Sequence, residues 1–147
     1  MKNKTIGNDF IILLARLLFS SAYIFSGFDN LIYFKAAVQE VAVSGMHWHA
    51  SALTAASALL EIGCGLMIVV GFFADLAALL IGFFTAFAAF SIHHFWSYPL
   101  AQQHIHLVLF FLDLSLVGAS LYVYQASVGK YAIGKGRFSL AACLAKY

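Results

Sequence analysis

An all-α integral membrane protein, built as a bundle of four transmembrane helices, is the fold class this sequence predicts, and three observations carry the prediction. Hydrophobic residues make up 63% of the chain and charged residues 10%, against roughly 45–50% and 25% in soluble domains. Four apolar stretches, at 10–28, 53–73, 76–96 and 105–124, each approach the about 20 residues with which a helix crosses a hydrocarbon core about 30 Å thick. None of them shows the alternation of a strand. A chain of 147 residues has room for four such helices and short connections, so 1–127 reads as one bundle and 128–147 as a basic tail.

The first span follows Lys2 and Lys4, and with Ser20, Ser21 and Ala22 it loosely imitates a signal peptide. Arg16 interrupts the would-be apolar core and the run continues to Phe28, so the segment reads as a membrane helix. A longer connection, 29–52, leads to the second span, where Thr54, Ser57, Glu61 and Cys64 recur at helical spacing. Arg16, Ser20, Tyr23 and Gly27 form a matching seam on the first. Only a few residues around Ala74 and Asp75 separate the second and third spans, which predicts a tight antiparallel hairpin. The third span carries Ala74, Ala78, Gly82 and Ala86 at four-residue intervals, a small-residue face suited to close packing within the bundle or to homo-oligomerisation. Pro99, the single proline, marks the outer loop. On the fourth span His106, Asp113 and Ser120, spaced by sevens, share one face.

Basic residues outside the spans cluster at the chain ends: Lys2 and Lys4, then Lys130, Lys135, Arg137 and Lys146. The positive-inside rule therefore predicts both termini in the cytoplasm. A net charge of +2 concentrated there suits anionic lipid rather than nucleic acid. The tail mixes these cations with Tyr131, Ile133, Phe138, Leu140 and Leu144, and either lies along the interface or remains a solvated basic segment. Cys64 and Cys143 form no CxxC pair, which argues against intrinsic dithiol chemistry.

Two constellations remain. Arg16, Glu61 and Asp113 lie within spans, where each charge costs on the order of 2.5–3.5 kcal/mol on insertion scales. They predict an inward-facing polar network, with the acid that pairs with Arg16 left open and a purely structural register role as the plain alternative. Threading the chain through a bilayer also brings all six histidines, His47, His49, His93, His94, His104 and His106, to the outer surface. Imidazoles at one depth make a candidate transition-metal site. Beside them, His106, Trp96 and Tyr98 form a candidate ligand-binding wall for a quinone-like ring, although an aromatic belt places such residues there without any ligand.

Three stretches resemble the DoxX family of small four-helix bacterial membrane proteins: Arg16-Leu17-Leu18 followed by Ser26-Gly27-Phe28, then Leu60-Glu61-Ile62-Gly63-Cys64-Gly65, then the hairpin from Val70 to Ala78. Asn30 stands where the family commonly has Lys, and Ala74-Asp75 where it often has Thr-Arg. The resemblance implies an accessory or quinone-facing subunit of a redox system in the bacterial inner membrane, working with a redox partner and not catalytic on its own. A haem-attachment motif, a dinucleotide fingerprint and a redox cysteine pair are all missing from the sequence, so electrons need a partner or a bound cofactor. Metal binding or small-solute transport through the histidines is a second expectation, and a structural or assembly factor without ligand a third.

Overall fold

The computed structural model describes residues 6–126 and 129–133. Lys2, Lys4, Lys135, Arg137, Lys146, Cys143 and the tail residues Phe138, Leu140 and Leu144 lie outside them. Five helices make up the described fold: α1 (Ile6–Ile32), α2 (Phe34–Val41), α3 (Ala50–Val70), α4 (Ala74–Ser91) and α5 (Leu100–Gln125). Four helical runs, Asp9–Ile32, Phe34–Val70, Ala74–Ser97 and Leu100–Gln125, are long and apolar enough to cross a membrane. The four-helix transmembrane class predicted above is therefore the observed one.

Helix ends follow local backbone chemistry more than hydropathy. Gly71 adopts the left-handed conformation (φ 74°), its N–H donates to the Ile68 carbonyl, and the Phe72 N–H donates to the Met67 carbonyl at 3.0 Å. This Schellman closure ends α3 at Val70. The hairpin turn is thus Gly71–Phe73 rather than the expected Ala74 and Asp75, which already belong to α4. Asp75 sits in the first turn of α4, where the helix dipole favours an anion. The third span loses regular helix at Ser91, five residues before the predicted end, and Tyr98 cinches the following loop by donating its hydroxyl to the Ile92 carbonyl at 3.0 Å.

The expected loop 29–52 is mostly helical. After a kink at Tyr33, α2 runs for eight residues, and a π turn (Ala42–Met46) and a 3-10 turn (His47–His49) feed directly into α3. Eight residues alone cannot span a bilayer, and α2 enters a membrane-length run only because it continues through these turns into α3.

Two close pairs form the bundle. α1 packs along α3 where Gly27 and Gly65 let the backbones approach: a Cβ at Gly27 would lie 2.7 Å from Ile62 Cγ1 and 2.8 Å from the Ala58 carbonyl oxygen. α4 packs along α5 at Gly82, where a Cβ would lie 3.0 Å from the Ser120 Cβ. Ala74, Ala78 and Gly82 of the predicted small-residue face are buried inside the molecule, so that face is spent on intramolecular packing. Between the pairs, the hairpin end is solid, with Tyr23, Cys64, Ile68, Ala74, Ala77, Ala78 and Ile81 in one buried cluster. Residues 129–133 fold onto the same end: the Lys130 N–H donates to Asp9 Oδ1 at 3.1 Å and the Ile133 N–H to the Val70 carbonyl at 3.0 Å.

Candidate functional site

The opposite half of the bundle is hollow. A cavity of about 410 Å³ lies there, bounded by α1, α2, α3, α4 with its following loop, and α5. This volume is within the range of small-molecule sites, roughly 300–1,000 Å³. Its walls are largely apolar, with Leu53, Leu60, Phe84, Phe87 and Leu116 among them. The Tyr23 hydroxyl and Thr85 Oγ1, 3.0 Å apart, tie α1 to α4 where the cavity gives way to the packed core.

Polar groups reach the cavity from every bounding element: Ser26 and Asn30 from α1, Glu40 from α2, Ser57 and Glu61 from α3, His93 just after α4, and Asp113 from α5. Most hydroxyls are satisfied on their own helices. Thr54 donates to the Ala50 carbonyl, Ser57 to the Thr54 carbonyl and Thr85 to the Ile81 carbonyl. Two carboxyl oxygens are not satisfied: Glu61 Oε2 and Asp113 Oδ2 are buried without a hydrogen-bond partner among the described residues. Glu61 is 4% exposed. Asp113 Oδ2 faces His93 Nε2 at 3.8 Å. Among the described lining residues there is no Lys or Arg. Buried polar groups are ordinarily paired, so these two oxygens are the unused hydrogen-bonding capacity of the site.

Glu61 and Asp113 therefore line one cavity. Arg16 sits elsewhere. Its Nε donates to the Ile68 carbonyl at 2.9 Å, and its Nη2 to the Val69 carbonyl and to the Tyr131 carbonyl at 3.4 Å. These acceptors lie at the C-terminal end of α3 and in the folded-back segment, about ten ångströms below Glu61 at 1.5 Å per residue. Arg16 is not among the cavity's lining residues. The three-residue network thus divides into an arginine at the hairpin end and an acid pair in the cavity.

The histidines divide as well. His47, His49 and His104 are exposed, whereas His93 and His94 are half-buried and His106 is buried. Residues one or two apart on a helix point in different directions, so His104 and His106 cannot share a face of α5. Among the described residues no group of three or more His, Cys, Asp or Glu can hold a metal ion. The six histidines expected at one metal site are thus not gathered into such a group. His93 and His106 do pair, Nδ1 to Nδ1 at 3.4 Å.

Tyr98 covers His106 in a parallel stack, ring centroids 3.5 Å apart and planes 15° apart. Burial raises the Tyr98 phenol above its ordinary value, and the charge of Glu40 raises it further. Trp96 is half exposed and packs edge-on against Phe110. His106, Trp96 and Tyr98, expected as a ligand-binding wall, are not among the residues that line the cavity. Ser26, Asn30 and Glu40 were the residues sequence reasoning missed. The first two continue the α1 seam from Tyr23 at intervals of three and four, a signal that was present, while Glu40 depends on the unexpected α2.

Compared with known proteins, the sequence model of the DoxX family matches residues 11–94, more than half of the chain. No curated protein and no solved structure matches it.

Proposed function

The chain belongs to the DoxX family, and on that premise we propose that it is a quinone-facing accessory subunit of a bacterial inner-membrane redox system. In this reading the cavity receives the polar ring of a quinone. The observation that carries it is the pair of unpartnered carboxyl oxygens, Glu61 Oε2 and Asp113 Oδ2, inside a largely apolar cavity. A protonated carboxyl donates a hydrogen bond to a quinone carbonyl, and apolar walls suit the rest of the ring.

Reduction of a quinone to its quinol takes two electrons and two protons. The proton sites belong to this chain: Asp113, Glu61 and, behind Asp113, His93. The electrons come from a partner subunit, because the sequence holds no haem-attachment motif, dinucleotide fingerprint or redox cysteine pair. A soluble short-chain quinone titrated against the purified protein, with free ligand measured by equilibrium dialysis, tests the reading. Asp113→Leu, which removes a hydrogen-bond donor, should weaken binding about tenfold or more. Asp113→Asn keeps a donor and should bind nearly as well as wild type, yet fail to support quinone turnover with the partner. Absence of saturable quinone binding, or equal binding by the Leu variant, would overturn the proposal.

A further inference from the structure

We propose that His93 and His106 form a proton path between the Asp113 carboxyl and the histidine-bearing end of the bundle, so that the cavity acids exchange protons with that side of the membrane and not with the other. The inference goes beyond ligand binding and does not depend on the cavity's guest being a quinone.

Three groups stand in series. Asp113 Oδ2 faces His93 Nε2 at 3.8 Å, and His93 Nδ1 faces His106 Nδ1 at 3.4 Å. Because two Nδ1 atoms meet, a neutral pair holds one proton between them, and either ring can carry it. Transfer then balances without an added reagent. His106, carrying its proton on Nδ1, takes up a second on Nε2 and passes the first to His93 Nδ1. His93 releases its Nε2 proton to the Asp113 carboxylate. One proton has moved inward, both rings end neutral, and each has exchanged the nitrogen that bears hydrogen; reverse transit or ring rotation resets them. Transfer across the 3.8 Å step requires a small ring rotation that brings it to hydrogen-bonding distance, about 3 Å.

Surroundings give this path its direction. Towards the histidine end, His106 lies beneath half-exposed Tyr98, which is held by its bond to the Ile92 carbonyl. Towards the hairpin end, the acids meet the packed cluster around Ile68, Ala77, Ala78 and Ile81, each 0% exposed. The other titratable groups near His93 are His94 beside it and, lining the same cavity, Glu61 from α3, Glu40 from α2 and Tyr23 from α1.

The test uses the full chain, reconstituted in one orientation in sealed phospholipid vesicles and without quinone. The infrared carbonyl band of protonated Asp113, identified by its loss in Asp113→Asn, is followed while pH is stepped on one side at a time. Wild type should respond to the histidine side and not to the Arg16 side. His106→Phe, which keeps a ring beneath Tyr98, should slow the response about a hundredfold. His106→Gln, polar but unable to relay a proton, should behave alike, and exposed His104→Ala should be unchanged. Wild-type rates in both His106 variants, or a band that follows pH on the Arg16 side, would overturn the path. Because no quinone is present, failure of the quinone reading leaves this result untouched.

Discussion

Carbonyl oxygens at the end of a helix stabilise a buried cation through the same partial negative charge that makes them the negative pole of the helix dipole. Arg16, 4% exposed, is held in this way by Ile68 and Val69, and it also reaches Tyr131 in the folded-back segment. Its planar fork suits several acceptors at once. Arg16→Ala should therefore cost about 3 kcal/mol in detergent unfolding titrations, and Arg16→Lys should recover only part of it; equal stability of the Ala variant would show that the carbonyls do not depend on the guanidinium. Position in the sequence revealed that Arg16 needed partners, but carbonyl acceptors carry no residue-type signal, which is why two acids were the visible candidates. Tyr98 gives the second residue-scale prediction. Its phenol is raised by burial and then by Glu40, so as pH climbs past the ordinary tyrosine value of about 10 the unfolded chain loses this proton first. The contribution of neutral Tyr98 is then complete below that pH and is lost progressively above it. Glu40→Gln should lower the tyrosinate titration of Tyr98, measured by ultraviolet absorbance difference against Tyr98→Phe; an unchanged midpoint would remove Glu40 as a cause.

At the level of elements, spacing and residue size decide which helices touch. The apolar runs announced four spans, and the Gly27 and Gly82 positions show why those spans pair as they do. Gly27 meets the Ala58 carbonyl across the α1–α3 contact, where a backbone atom cannot swing aside, whereas Gly63 on the same α3 has nothing within 4 Å of its would-be Cβ. Gly27→Ala should force α1 from α3 and cost about 1–3 kcal/mol. Gly63→Ala should be neutral or stabilise by up to about 1 kcal/mol through helix propensity. Parallel thermal melts of the two variants check the contrast, and similar losses in both would mean that the α1–α3 approach is looser than described. The elements that sequence reading misplaced have local causes: the left-handed Gly71 moved the hairpin three residues earlier, and α2, taken apart from the α3 it leads into, is shorter than a span. Since α2 contributes Glu40 to the cavity lining, losing it from the reading also concealed one side of the site.

The whole molecule is divided along its length into a packed half and a hollow half, and this polarity gives the acid pair its meaning. The start of α1 and residues 129–133 share the packed end, as the Asp9–Lys130 hydrogen bond requires. His104 is exposed at the start of α5, at the hollow end. By the positive-inside rule the basic chain ends predict a cytoplasmic packed end, an orientation that would open the proton path to the outer face. Single-cysteine labelling decides this. In a Cys143→Ser background, native Cys64 is 6% exposed within the core and should remain unreactive. A membrane-impermeant maleimide added to intact spheroplasts should then modify His104→Cys, and should reach Lys130→Cys only after the membrane is permeabilised. The reverse pattern would invert the bundle. Protons would then enter the cavity from the cytoplasm, and a quinone reduced there would draw its protons from the cytoplasmic pool instead of the outer one. The four spans, the cavity and the acid pair would all remain as they are, but the direction of any coupled proton movement would change sign, so the labelling result fixes the energetic consequence of the site.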